Sequence, residues 1–188
     1  MVGTVTDERR DAERRARFDR LAREVAPRVR AYAARRTDGD TAQDVLAETL
    51  LVLWRRLEDV PEGAELPWSY AVARNCLANA ERSARRQRGL VARIARLDPP
   101  REAVPPDAPD PAVHHALARL PADDRELLRL WAWEDLAPRE IAVVLGVSAN
   151  AVSIRLHRAR RQLAAELGAG GQEPGGAGHP EVEERRAP

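Results

Sequence analysis

Lysine is absent from this 188-residue chain: all 31 basic residues are arginine. Thirty carboxylates almost balance them, and with a net charge of +1 only charge segregation along the chain can build a nucleic-acid surface. Cysteine occurs once, at Cys76, which excludes an internal disulfide framework. Its neighbours Val72, Ala73 and Leu77 follow a helical pattern, so the thiol reads as packed core rather than a redox centre. There is no apolar run of 18 residues and no basic-then-apolar leader, so no membrane insertion is expected and the chain reads as cytoplasmic. Four scattered histidines make no metal set, since adjacent His114 and His115 diverge on a helix. No phosphate-cradling glycine loop, metal-binding pair of carboxylates or nucleophile beside its base appears, so neither catalysis nor a cofactor is expected.

What is present is helical punctuation and segregated charge. The clearest segment is 138 to 163, PREIAVVLGVSANAVSIRLHRARRQL. Pro138 suits a first helical turn, Ile141, Ala142 and Leu145 share one face, Gly146 ends the helix, Val147 plugs the turn and Ser148 caps the next helix. Val152, Leu156, Ala159, Leu163 and Leu167 then recur at helical spacing, leaving Asn150, Ser153, Arg155, His157, Arg158, Arg160 and Arg161 outward. This pattern predicts a helix-turn-helix that lays its second helix in the major groove of duplex DNA, early positions toward bases and later arginines toward phosphates.

The remainder divides into tail, helical block, linker, helical block and tail. Residues 1–14 are charged and aperiodic and read as a disordered tail. Phe18, Leu21, Val25, Val29 and Tyr32 keep helical spacing, with Pro27 a kink or boundary. Thr37 to Asp40 read as a turn, and a helix over about Thr41 to Leu57 has Thr41 and Asp44 at capping-box spacing and Leu46, Leu50, Leu53 and Leu57 inward. Its second stripe, Asp44, Glu48, Leu51 and Arg55, is either a partner surface or a solvated face. Trp68 and Tyr70 open another helix to about Arg88, with Val72, Cys76 or Leu77 and Ala80 inward and Asn75, Asn79, Arg82, Arg85 and Arg86 outside. Aromatics beside asparagines and arginines suit single-stranded nucleic acid, in which bases stack on rings and the backbone follows positive charge. Trp68 as a simple hydrophobic staple is the competing reading. Residues 98–111 hold six prolines and form an acidic linker. Helices are expected at about 111–119 and 121–133, the latter packing Leu127, Leu128, Leu130 and Trp131 on the hairpin with Trp133 at the rim. Residues 168–188 read as a disordered tail. The fold class is therefore all-α: two small helical domains, 15–97 and 112–167, joined by a Pro-rich linker, the second containing the helix-turn-helix.

The order DVLAETLLVLWRRL, PWSYAVARNCLANAERSARR, a Pro-rich linker and LARLPADDRELLRLWAWEDLAPREIAVVLGVSANAVSIRLHRARRQL resembles a bacterial RNA polymerase sigma factor of the extracytoplasmic-function group, over roughly residues 18 to 167. The resemblance implies that Asp44, Glu48, Leu51 and Arg55 dock on the clamp helices of the beta-prime subunit of core RNA polymerase. It implies that Trp68, Tyr70, Asn75, Asn79, Arg82, Arg85 and Arg86 serve the minus-ten element of promoter DNA, capturing unstacked non-template bases. Ser148, Asn150, Ser153, Ile154, Arg155, His157 and Arg158 would serve the minus-thirty-five element, the acidic linker would thread toward the active-site and RNA-exit channel, and an anti-sigma protein becomes a candidate partner. The chain departs from the family at Ala47-Glu48-Thr49-Leu50, where Gln-Glu-Thr-Phe is common, and at Asn150-Ala151, where Gly-Thr often opens the recognition helix. Ser153 stands where a basic residue is frequent and Ile154 where a small polar one is, so the promoter preference is expected to be its own. The alternative is a free-standing helix-turn-helix regulator that leaves the 41–57 and 68–88 blocks without a task.

Overall fold

A computed structural model of the chain describes the backbone over residues 3–94 and 111–170 and side chains over 8–87 and 112–168. Among the described residues every regular element is helical: α1 Gly3–Ala34, α2 Gly39–Arg55, α3 Glu65–Ile94, α4 Pro111–Arg119, α5 Ala122–Ala132, α6 Pro138–Leu145 and α7 Ala149–Gly170, with a 3-10 turn at Leu57–Asp59. α1, α2 and α3 pack on one another, α4, α5 and α6 gather on α7, and α3 lies against α6. One apolar core runs through both halves. No single helix among the described residues is long and apolar enough to cross a membrane.

α1 starts at Gly3, which corrects the expectation of a disordered tail over 1–14. From its fourth turn onward it is tied to distant partners: Arg14 donates to the Trp54 carbonyl at 2.7 Å with its guanidinium 4.7 Å from the Trp54 ring centre, and Phe18 meets the same ring edge-on at 5.2 Å. Once the Phe18 to Tyr32 stretch is docked, extending the helix toward the amino terminus needs no new nucleus. Pro27 sits inside the helix and does not end it. Val25, Val29 and Tyr32 around it are completely buried, and their packing outweighs the roughly 3 kcal/mol that proline costs in a helix interior.

α2 begins earlier than the Thr41–Asp44 spacing suggests, because Asp38 is the cap. Its carboxylate accepts from the Thr41 N–H and Oγ1, both at 2.9 Å. The stripe turned into the core is Ala42, Val45, Thr49 and Leu53; Leu57 is buried too, while Leu46 and Leu50 are only half-buried. Thr49 tolerates its buried place because Oγ1 donates back to the Val45 carbonyl at 2.7 Å. α3 is longer than expected at both ends, Glu65 to Ile94, and buries Tyr70, Ala73, Cys76 and Leu77, with Val72 and Ala80 half-buried.

In the carboxy-terminal half the two tryptophans trade places relative to expectation. Trp133 is half-buried against the core with Arg129 over its ring, whereas Trp131 is 38% exposed and carries Arg160 at 4.6 Å. Trp133 is the C-cap of α5, still helical with its N–H bonded to the Arg129 carbonyl at 2.9 Å, and it is this last position rather than Trp131 that the helix turns toward the core. Leu167 and Val147, both expected inside, are 38% and 39% exposed. α7 continues to Gly170, past the boundary at 168. The acidic linker up to residue 110, and the tail beyond 170, lie outside the described residues.

Candidate nucleic-acid interface

α6 and α7 meet at 104°, within the range of DNA-reading helix-turn-helix hairpins. The turn is built locally. Glu140 accepts the Ala137 N–H at 2.7 Å at the start of α6. Gly146 adopts φ 67° and ψ 35°, a left-handed conformation costly to any residue with a Cβ, and lets the Val147 N–H reach the Ala142 carbonyl at 3.1 Å. Ser148 caps α7, its Oγ accepting from the Ala151 N–H at 3.2 Å. Val152, Leu156 and Ala159 are buried beneath α7, so its opposite face is fixed toward solvent. Asn150, Ile154 and Arg161 run down the centre of that face, flanked by His157 and Arg158, all exposed. Ile154 is 49% exposed, and Ser153 spends its proton on the Ala149 carbonyl at 3.0 Å. Arg155 is turned aside, half-buried and held by Asp124 at 3.4 Å and Asp123 at 3.8 Å.

On α3 the steps from Trp68 to Asn75, Asn79, Arg82 and Arg86 are seven, four, three and four residues, which places all five on one helical face. The line extends about 27 Å at the helical rise of about 1.5 Å per residue. Trp68, at its start, is half-buried with Arg56 over its ring at 5.6 Å. Asn79 Oδ1 accepts from Arg82, and Arg85, beside the line, lies 3.7 Å from Glu81. Tyr70 points to the opposite side. It is 1% exposed, its ring 5.0 Å from that of Tyr32, and burial with the Glu134 carboxylate nearby pushes its pKa up to about 12. Tyr70 is therefore a core residue and not a platform for bases, which corrects the sequence expectation. On α2 the stripe Asp44, Glu48, Leu51 and Arg55 is wholly exposed, Leu51 at 46%.

These blocks match two family models, Sigma-70 region 2 over residues 21–87 and Sigma-70 region 4 over residues 111–163. The chain is 35% identical over 160 residues to RNA polymerase sigma factor CarQ of Myxococcus xanthus, covering 80% of this chain and 89% of CarQ. It is 34% identical over 140 residues to ECF RNA polymerase sigma factor SigL of Mycobacterium tuberculosis, covering 70% of this chain and 78% of SigL. The chain belongs to the extracytoplasmic-function sigma factors. Among solved structures, CnrH in complex with the cytosolic domain of CnrY is similar, with 28% identity, a TM-score of 0.52 and coverage of 81% of this chain and 88% of CnrH.

Three features of this sigma factor escape a sequence reading. Arg74 of region two faces Asp123, Glu126, Val147 and Arg155 of region four across a cleft. Glu134 is buried to 4% exposure and joins the halves. Cys76 lies close to α2: burial first, then the Glu48 carboxylate, pushes the thiol pKa up, so it stays protonated. Nothing local announces any of them, because each partner comes from another helix. No cluster of metal-ligating side chains occurs among the described residues.

Proposed function

We propose that this sigma factor works in the cytoplasm as the promoter-specificity subunit of RNA polymerase, with no catalysis of its own. Three exposed faces divide the labour. The α2 stripe of Asp44, Glu48, Leu51 and Arg55 docks on the clamp helices of beta-prime. The α3 line holds unstacked bases of the minus-ten element, with Trp68 as the ring and Arg82 and Arg86 on the backbone; extruding a base costs a few kcal/mol, which its pocket must return. The α7 face reads the minus-thirty-five element, Asn150 and Ile154 toward base edges and Arg158 and Arg161 toward phosphates. An anti-sigma protein is a further expected partner, in keeping with the complex in which CnrH was solved.

The observation that carries this reading is the α2 stripe. A free-standing repressor or activator has no use for an exposed leucine framed by charges on a helix remote from its DNA-reading hairpin. Reversing both carboxylates, Asp44→Arg with Glu48→Arg, is expected to abolish association with core polymerase and run-off transcription. Duplex binding by α7 should be untouched. Tight, specific duplex binding with no transcription under any pairing with core polymerase would instead establish the free-standing regulator.

A further inference from the structure

The connection from α2 to α3 brings Arg56 to the Trp68 ring, and it is gripped from both sides. On the side of α1, Arg17 donates from Nη1 to Glu58 Oε2 at 3.1 Å and from Nη2 to the Val60 carbonyl at 3.3 Å. Arg14 donates to the Trp54 carbonyl in the last turn of α2, and Leu57 and Val60 are buried. An exposed ion pair such as Arg17 with Glu58 adds little stability, so its effect is to direct the turn rather than to hold the fold. On the side of α3, Arg56 closes α2 with its N–H bonded to the Val52 carbonyl at 2.9 Å. Its Nε donates to Asp59 Oδ2 at 2.9 Å, and its guanidinium carbon lies 5.6 Å from the centre of the Trp68 ring. The Arg56 side chain keeps 59% of its exposure.

The space between Arg56 and Trp68 is neither closed nor open. Among the described residues five arginines lie over aromatic rings, and this separation is the widest, against 3.6 Å for Arg36 on Tyr32. A base held between two flat groups needs them about 7 Å apart, twice the roughly 3.5 Å contact distance between carbon atoms. An outward movement of about 1.5 Å would therefore admit one. A guanidinium is planar, so it stacks on a base as a ring does, and its donors lie in that plane, where they can meet a neighbouring phosphate. Asp59 engages Nε, which sets the orientation of the plane without occupying the terminal donors. Arg14 and Arg17 both precede residue 21, where the match to Sigma-70 region 2 begins, so the brace on this turn lies outside the matched segment.

We propose that Arg56 is the second wall of the base-holding site: an unstacked base of single-stranded DNA enters between the Arg56 guanidinium and the Trp68 ring. Asp59 and Arg17 are positioning residues, the first aiming the guanidinium and the second fixing from α1 the turn that carries it. The inference deepens the promoter-melting reading above and rests on it. It assigns a nucleic-acid role to a residue that lies on neither the α3 line nor the α2 stripe, and it makes the first helix part of base capture.

The test uses the full chain assembled with core polymerase and single-stranded DNA spanning the minus-ten element of a promoter that this holoenzyme transcribes. The fluorescent base analogue 2-aminopurine is placed at each position in turn. At one position its emission should be quenched on binding, and Trp68→Ala should restore it. Arg56→Ala should restore emission at that same position and weaken binding about two- to fivefold, with core-polymerase association unchanged. Arg56→Lys keeps the charge but not the plane, so it should recover part of the affinity and none of the quenching. Arg17→Ala should act at the same position in the same direction by less, with Arg17→Lys intermediate and the urea midpoint near that of wild type. A merely structural Arg17 would instead lower the midpoint and weaken every position alike, which would overturn its positioning role. Wild-type quenching and affinity in Arg56→Ala would overturn the wall, as would full recovery of both in Arg56→Lys. Tighter binding by Arg56→Ala would overturn it too, because Arg56 would then be shielding the ring. All of these leave base capture by Trp68 standing. Absence of any quenched position, together with wild-type binding by Trp68→Ala, would overturn the base-holding reading itself and the wall with it.

Discussion

α3 and α7 each turn one line of polar residues away from a buried stripe, yet under the proposed function the two lines would serve different nucleic acids. The α7 line is short and rigidly aimed: a left-handed Gly146, a serine cap and three buried residues beneath it fix its direction, and an exposed Ile154 sits at its centre. A preformed groove suits such a line, since an apolar side chain can meet a thymine methyl and Asn150 a base edge. The α3 line is about 27 Å long and begins at an aromatic ring rather than a cap. Its residues suit a flexible strand, because rings stack on any base and arginines follow the backbone without reading it. Under the proposed function the same helical periodicity would yield a reader and a holder, separated by side-chain type alone.

The sharpest break in that comparison lies within α3. Trp68 and Tyr70 are two residues apart but face opposite ways, so truncating them should cost different things. Tyr70→Ala empties a core site where the ring is 1% exposed, and unfolding stability should fall by about 3–5 kcal/mol in urea titration. Trp68→Ala should leave most of the stability in place and weaken base capture by about 1–3 kcal/mol, seen as reduced permanganate reactivity of melted promoter DNA. If Trp68→Ala unfolds the protein as badly as Tyr70→Ala and melting per folded molecule is unchanged, Trp68 is only a staple.

Much of this was readable before any coordinates, and the exceptions share a cause. Gly146, Ser148 and the apolar face of α6 act on residues within five of themselves, so local chemistry specifies the hairpin. The α2 stripe is legible because periodicity alone separates Asp44, Glu48, Leu51 and Arg55 from the core. Tyr70 was also within reach: stepping from Trp68 by sevens and fours selects Asn75 and Asn79 and rejects it. Trp131 and Trp133 were not, since their exposure depends on how α5 docks on α6 and α7. Arg14 against Trp54 and Arg36 against Glu134 pair residues 40 and 98 apart in sequence, and composition carries no trace of either. The start of α2 fails for a subtler reason: Asp38, Asp40 and Thr41 are all competent caps, and helix docking chooses among them.

A smaller effect distinguishes the arginines of α7. Arg158 and Arg161 extend from the exposed face, whereas Arg155 is occupied by Asp123 and Asp124. Replacing Arg158 or Arg161 by alanine should reduce the slope of log affinity against log salt by about 0.9 each for duplex promoter DNA. Arg155→Ala should change it less. Equal slopes for all three would mean that the carboxylates release Arg155 when DNA arrives.

The caps of α2 and α7 give the finest version of the contrast, since one titrates and the other does not. Hydrogen bonds from the Thr41 N–H and Oγ1 hold the Asp38 carboxyl below its ordinary range. A carboxyl with a depressed pKa in the folded state stabilises the fold above its unfolded value of about 3.9, and that contribution disappears as pH falls through the folded pKa. Asp38→Ala should therefore cost about 0.5–2 kcal/mol at pH 7, with the gap to wild type closing steadily below about pH 4. Ser148→Ala removes a cap of similar worth that carries no ionisable group, so its gap, followed by thermal unfolding over the same pH series, should not close. A Ser148→Ala gap that closed in parallel would show that acid loosens both halves through some other group, and that the α2 cap is not where the pH dependence resides.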